Sequence, residues 1–404
     1  MWLKVRLAFR NTFRHRRRTI LNLSMIGGGV AMLLVFEGFV QRLVYGLRET
    51  TIRTQTGHLQ IAKASYWTKS IKNPKDTLIP RYEAVLAEIR KNPHVRYASG
   101  RLNFFGLLAK RERNVSAQGV SFDPNIEKSR AKSFHYTSGH TLSSENPYQV
   151  TLGFGLSKKI GVKAGDSIVV MTQTYDGVVN AIDMEVSGIF RTAISDFDDN
   201  TFLITLKAAQ KLLDTKSVES IVVGLDSTSS TLPLRAELTT LLSKSRPELT
   251  IQPWYKMAKL YAQVAGFNRV QNRMFQAIIL SLVLLSILNT IGMSVFERTA
   301  EIGTLRALGE SRWGIVLQFI LEGMVLGILG GIVGCILGSG LAALINWSQF
   351  RVVLPGASAP LTIQVILTWA SVKGGAGLAI ATSTLAAVIP AIRASRMKVV
   401  DALR

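Results

Sequence analysis

The reading of the fold turns on Met274–Phe296, MFQAIILSLVLLSILNTIGMSVF, and on the segment that follows at once, Glu297–Trp313, ERTAEIGTLRALGESRW. The first part has no ionisable side chain. Built as a helix at about 1.5 Å per residue it is roughly 34 Å long, enough to cross a hydrocarbon core of about 30 Å. A run of that length fits a membrane span better than the buried helix of a soluble protein. The second part turns amphipathic, with Ile302, Leu305 and Leu308 on one side at helical spacing, Glu301 and Arg306 elsewhere, and Gly309 as the stop.

Working outward, three more apolar runs appear: Thr19–Phe36, extendable past Glu37 to Val40; Ile315–Trp347, interrupted only by Glu322; and Gly374–Ile392, with Pro390 near its end. Four spans put both termini on one side. Lys4, Arg6, Arg10, Arg14, Arg16, Arg17 and Arg18 precede the first run with no acidic residue among them, and Arg393, Arg396, Lys398 and Arg404 follow the last. The positive-inside rule then places both termini, and the short loop Glu297–Gly314, in the cytoplasm. A cleaved signal peptide shares the basic start, but the run is long, no small-x-small site follows, and Gln41–Thr54 reads as a polar continuation of the same helix. Trp2, Val5, Phe9 and Phe13 recur at helical spacing inside the basic block, which fits an interfacial helix on anionic lipid and not a nucleic-acid patch.

These readings divide the chain into an interfacial helix (1–18), a first span with the start of a stalk (19–44), an outer α+β domain (45–253), a stalk helix continuous with the second span (254–296), a cytoplasmic loop helix (297–314), a third span (315–347), an outer loop (348–373), a fourth span (374–392) and a cytoplasmic tail (393–404). The fold class is a membrane protein of four transmembrane helices, with a large α+β domain inserted between the first two. Composition agrees. The mean hydropathy is +0.24 over 404 residues, and 48 Lys and Arg against 26 Asp and Glu leave a net charge of +22. The single cysteine, Cys335, excludes an internal disulfide and a cysteine zinc cage; the histidines form no HExxH, and no GxxxxGK[ST] loop occurs. No cofactor or metal is expected in this chain, and any ATP-driven work falls to a partner that carries the ATP and Mg²⁺.

In the outer domain, strands are expected at Gly57–Ala62, Arg101–Ala109, Asn114–Val120, Asp166–Thr172, Ala181–Phe190 and Asn200–Leu206, and helices at Tyr82–Lys91, Leu206–Leu213 and Thr231–Ser243. Asp196, Asp198 and Asp199 read as a solvated turn in preference to a cation site, and Gly161–Asp166 as a turn entering a strand. No proline intervenes between Trp254 and Phe296, so that segment reads as one helix of about 40 residues, some 60 Å long. In the third span Gly323, Gly327 and Gly331 are spaced by four, as are Gly330, Gly334 and Gly338. Such rows let helix backbones approach closely. Glu37 and Glu322 lie near span ends, where snorkelling or local hydrogen bonding accounts for a carboxylate better than a substrate role.

With these motifs in place the chain resembles the MacB/LolC/LolE/FtsX-type permeases of mechanotransmitting ABC transporters. The likeness is carried by Asn289–Arg312, by the glycine-rich span after it, by Gly153–Val170, GFGLSKKIGVKAGDSIVV, and by the terminal Pro390–Arg404, PAIRASRMKVVDALR. The resemblance implies that Glu297, Arg298, Glu301, Ile302, Leu305, Arg306, Leu308 and Gly309 form the coupling helix that sits in a cleft of a separate ABC ATPase subunit. It also implies a second permease copy or a homologous permease, a bacterial inner-membrane location with the large domain in the periplasm, and a transport subunit that is not itself an enzyme. The length and the GHLQI segment at Gly57–Ile61 look closest to the LolC/LolE-like branch, whose cargo is lipoprotein or another amphipathic molecule. The loop FERTAEIGTLRALG is as much MacB-like. An FtsX-like regulator of a periplasmic enzyme and a MacB-like tripartite efflux component with a periplasmic adaptor are the alternatives.

Overall fold

Helix α1, Trp2–Thr12, is followed by α2, Arg16–Thr51, which starts in the basic block and continues through the first apolar run into the polar residues beyond it. The computed structural model describes residues 2–14, 16–67, 74–125, 134–192, 194–352 and 361–397, with backbone alone at 2–5 and 361. His15, Lys398 and Arg404, and the side chains of Trp2, Lys4 and Val5, lie outside the described part. Three successive glycines in α2 would weaken a helix in water by about 1 kcal/mol each. Here two of the three permit close packing: a Cβ on Gly27 would meet Val333 Cγ1 at 2.9 Å, and one on Gly29 would meet Ile279 Cγ2 at 3.0 Å. The helix ends on a π turn, Ile52–Thr56, closed by Gly57 at φ 66°.

The chain forms two compact units, residues 45–263 with 352–361 and the remainder. In the first, the strands are β1 Leu59–Lys63, β2 Val95–Arg101, β3 Asn103–Lys110, β4 Arg113–Phe122, β5 His135–Gly139, β6 Gln149–Gly153, β7 Ser167–Gln173, β8 Val179–Arg191, β9 Thr201–Thr205, β10 Ser220–Leu225 and β11 Leu249–Pro253. The helices are α3 Tyr82–Ile89, α4 Phe154–Ile160, α5 Leu206–Leu212 and α6 Thr231–Ser245. A four-stranded antiparallel sheet, in the order β11–β1–β10–β2, buries Leu59, Ile61, Ile221 and Val223 under Val85 and Ile89 of α3 and the stripe Leu234, Leu238 and Leu242 of α6. That stripe repeats every four residues, one face of a helix. The other seven strands run β5–β8–β6–β9–β4–β3–β7. A further β7–β8 pairing returns the series to β8, so six of them form a ring. Inside it Leu108, Val150, Leu152, Val170, Val186 and Ile204 are buried around Phe104 and Phe202, whose rings meet edge-on with centroids 5.7 Å apart.

Three expectations change here. Strand β2 precedes the segment expected as Arg101–Ala109 and is separated from β3 at Leu102. It was obscured because its core-facing positions, Ala98 and Gly100, are too small to mark a strand. Asp198 does not sit in a solvated turn. It lies fully buried in a helical turn, Ser195–Asn200, where its carboxylate accepts from Thr192 N at 2.8 and 3.0 Å and from Thr192 Oγ1 at 2.8 Å. Nor is Trp254–Phe296 one helix. A turn at Trp254–Met257 ends at Ala258 (φ −77°, ψ 70°), and α7, Lys259–Glu297, starts after it. Trp254 and Ala258 are buried with Ile52, and the Trp254 and Tyr261 rings meet at 4.8 Å.

From α7 the second unit resumes with α8, Thr299–Ala307, α9, Arg312–Ser348, and α10, Trp369–Ser395. Among the described residues four helices, α2, α7, α9 and α10, are long and apolar enough to cross a membrane. Their core repeats every four residues, as Ile26, Val30 and Leu34 of α2 and Val283, Ile287 and Ile291 of α7 show. The glycine rows of α9 part onto two neighbours. A Cβ on Gly323 would lie 2.6 Å from Ala387 Cβ, and one on Gly327 2.9 Å from Ile380 Cα, both on α10; Gly331 faces Ala376 of the same helix at 3.6 Å. Gly330, Gly334 and Gly338 instead face Ile26, Val30 and Ala31 of α2. With little hydrophobic drive between helices in lipid, such close approach is what holds α9 between its neighbours.

Candidate functional site

The most elaborate polar construction of the bundle surrounds α8, at the loop end of the four spans. Helix α7 stops at Glu297, and Arg298 leaves the helical conformation (φ −108°, ψ 16°) before α8 begins. The expected helix from Glu297 to Gly309 is therefore two pieces with a corner at Arg298. Gly309, at φ 94°, ends the second piece in a conformation that a side chain would strain. Ser311 then caps α9, its Oγ accepting from Gly314 N at 3.0 Å.

The corner exists because Arg298 is pulled inward. Its Nη1 donates to Glu322 Oε1 of α9 at 2.8 Å, its Nε donates to Glu301 Oε2 at 3.1 Å, and its guanidinium lies 5.7 Å from the centre of the Phe319 ring. Glu322 is only 6% exposed and also accepts from Asn11 Nδ2 of α1 at 2.9 Å. Arg14 Nη1 donates to Glu301 Oε1 at 2.7 Å, and Arg18 grips Glu297 through two bonds of 2.6 and 3.0 Å. These contacts form a clasp over α1, α2, α7, α8 and α9. Hydrogen bonds from Arg14 first, then Arg298, hold the Glu301 carboxyl below its usual range. The exposed pairs of the clasp contribute little each, whereas the buried Arg298–Glu322 pair is costly to break from one side.

The coupling residues expected from sequence thus separate into two groups. Glu297, Arg298 and Glu301 are bound within the clasp, Glu297 and Glu301 at its exposed rim with their carboxylates engaged, and Ile302 is buried in the bundle core. Arg306 is half-buried. Leu305 and Leu308 are exposed, Leu308 by 80%, and Trp313 on the first turn of α9, which periodicity alone did not single out, by 78%. Asn11, Arg14 and Arg18 were also not assigned to this site. The charges of Arg14 and Arg18 read only as a topological signal and the neutral Asn11 gave none, since the partners of all three lie some hundreds of residues away in the chain.

At the opposite end of the bundle no ion pair joins the helices among the described residues. The Glu37 carboxylate accepts from Gln41 Nε2 at 3.1 Å and from Ser371 Oγ at 3.4 Å, the local bonding expected of it. In residues 45–263, Glu219 accepts from Tyr175 and from Asn103 N, both at 3.0 Å. Burial pushes the Glu219 carboxyl up and, with the Glu219 charge added, the Tyr175 phenol as well. No group of histidine, cysteine or acidic side chains fit to hold a metal occurs among the described residues.

Residues 19–241 match the model of the MacB-like periplasmic core domain, and residues 273–399 match the FtsX-like permease C-terminal model. The chain belongs to the MacB/FtsX family of permeases. It is an ABC transporter permease of the MacB/LolC/FtsX type, with its periplasmic domain in the N-terminal half. The lipoprotein-releasing system transmembrane protein LolC of Xylella fastidiosa is 24% identical over 319 residues, 74% of this chain and 75% of that one. The macrolide export ATP-binding/permease protein MacB of Brucella abortus is 26% identical over 338 residues, 80% of this chain, which spans 48% of that longer protein. Among solved structures, the extracellular domain of the ABC-type transporter YknZ aligns at TM-score 0.35 and 9% identity over 48% of this permease and 98% of that domain.

Proposed function

We propose that the permease is the membrane subunit of a transporter whose separate ABC ATPase, carrying ATP and Mg²⁺, docks on α8 from the cytoplasm and moves the periplasmic domain by hydrolysis. Its cargo is lipoprotein or another amphipathic molecule, extracted from or exported across the bacterial inner membrane, and it works beside a second copy or a homologous permease, with a periplasmic adaptor or acceptor receiving the cargo. Both termini lie in the cytoplasm in this reading. The observation that carries it is the contrast within the loop: its acidic groups are engaged with neighbouring helices, while Leu305, Leu308 and Trp313 stand exposed. An apolar ridge on a braced support suits a protein partner. Helices α2 and α7, of 36 and 39 residues, exceed what the hydrocarbon needs, and a helix transmits displacement along its length. An acyl anchor entering sideways between spans stays in apolar surroundings throughout.

The test uses the full chain and its cognate ATPase. Leu308→Asp and Leu305→Asp should abolish co-purification and return ATP hydrolysis to the level of the ATPase alone, with thermal unfolding of the permease unchanged. Normal binding and turnover in both variants would refute docking on α8. Crosslinking in cells reads the cargo: a lipoprotein trapped beside the spans supports transport, whereas a soluble hydrolase held by the periplasmic domain assigns a regulatory role instead.

A further inference from the structure

Helix α1 has two unlike sides. Ala8 is completely buried, and Asn11 reaches inward to Glu322. On the other side Leu7, Phe9 and Arg10 are exposed, and the chain just beyond α1 continues this surface with the exposed Phe13, its ring 5.0 Å from that of Phe9, and with the exposed Arg16 and Arg17 that open α2. Among the described residues no acidic group pairs with Arg10, Arg16 or Arg17, and α1 has no acidic residue at all. Exposed aromatics beside unpaired cations on a surface helix are matched by one kind of environment, the boundary of an anionic bilayer, where rings enter the acyl layer and guanidinium groups meet phosphate. The same helix is bonded to the clasp, since Arg14 on the next turn holds Glu301 of α8 and Arg18 holds Glu297.

We propose that α1 binds anionic phospholipid headgroups and relays that occupancy through Arg14, Arg18 and Asn11 to α8, so that the charge of the surrounding leaflet sets how firmly the loop is held. The inference rests on the reading of α8 as a docking loop only for its consequence; the lipid contact and the relay stand without it. Each arginine near an anionic surface strengthens binding about fivefold, and salt weakens the effect. Basic groups tied directly to the loop's acids make α8 the first element to register a change in α1.

Hydrogen exchange of the full chain in nanodiscs of phosphatidylglycerol or of phosphatidylcholine tests this without any ATPase present. Amides of residues 6–13 and 299–307 should exchange about tenfold more slowly in the anionic discs, by suppression of local opening. Replacing Arg10, Arg16 and Arg17 together by Gln should remove the lipid dependence in both segments, while the unfolding temperature in phosphatidylcholine stays as in the parent chain. Glu297→Gln with Glu301→Gln should keep it in 6–13 and lose it in 299–307. Equal exchange in the two lipids, or a lipid response that survives the triple replacement, overturns the lipid contact. A response of 299–307 that survives in the Glu297→Gln, Glu301→Gln chain overturns the relay. Protection of 6–13 that appears only on adding the ATPase assigns the face to that subunit and equally overturns the proposal. Loss of ATPase docking with lipid-dependent exchange intact would count against the proposed function alone.

Discussion

The two ends of the helix bundle are fastened by different chemistry. At the loop end, charged side chains do the fastening: Arg298 on Glu322, Arg14 on Glu301 and Arg18 on Glu297. At the other end the Glu37 carboxylate meets only the neutral Gln41 and Ser371, and the extended residues before α10 run against α2 and α9 through backbone and amide groups. Ile366 N donates to Gly38 O at 3.2 Å, a Cβ on Gly38 would meet Ile366 O at 2.8 Å, and Asn346 both donates to Val365 O and accepts from Val365 N. Charge pairs respond to ions, pH and partner proteins, and backbone contacts do not. The responsive fastening sits where a partner is proposed to push, and the inert one where the long helices leave for the periplasmic domain.

This contrast can be broken most forcefully at its buried pair. Glu322→Ala takes the buried partner from Arg298, leaving it only the half-exposed Glu301, and should destabilise the permease by up to about 3–5 kcal/mol, read as thermal unfolding in detergent. A charge exchange, Glu322→Arg with Arg298→Glu, should recover part of that loss. If the single change were neutral, the clasp would not be holding the loop. Next in size is Gly38→Val, which forces a side chain against Val365 and the Ile366 carbonyl and should cost about 1–3 kcal/mol, with no dependence on salt. Asn346→Ala, which orphans two backbone groups of Val365, should cost about 1–2 kcal/mol.

Smaller effects sharpen the comparison. Arg14→Gln removes an exposed pair and should cost at most about 1 kcal/mol at low salt and less at high salt. Glu301 is held below its unfolded pKa, so its contribution is present above the unfolded value and lost as pH falls through the folded one. Acid should therefore loosen residues 299–307, measured by hydrogen exchange, and leave residues 362–368 unchanged. Equal loosening at both ends would erase the distinction.

How far the sequence reaches follows from the same physics. The spans were legible because a stretch of some twenty residues without charge is rare anywhere but in a bilayer, and the α9 glycines were legible because their spacing of four has a direct packing use. That they divide between α10 and α2 needed the fold. Strand β2 left little mark because its core-facing Ala98 and Gly100 are small, and the ring was not legible because pairings such as β3–β7 and β4–β9 join strands far apart in the chain. Asp198 shows the same limit: a carboxylate in a polar stretch reads as solvated until the bonds from Thr192 are seen. In the site, Leu305 and Leu308 were named from periodicity alone. Ile302 obeyed the same periodicity yet belongs to the core, and the break at Arg298 depends on Glu322, 24 residues on.

The most direct test places a photo-crosslinking residue at position 308, with a second at position 38 as control, in the full permease beside its cognate ATPase. A docking loop braced by the clasp gives an adduct of permease plus ATPase at 308, none at 38, and a weaker one at 308 when Glu322 is replaced by Ala. An ATPase that stays active with the permease, yet crosslinks at neither position or only at 38, would contradict it.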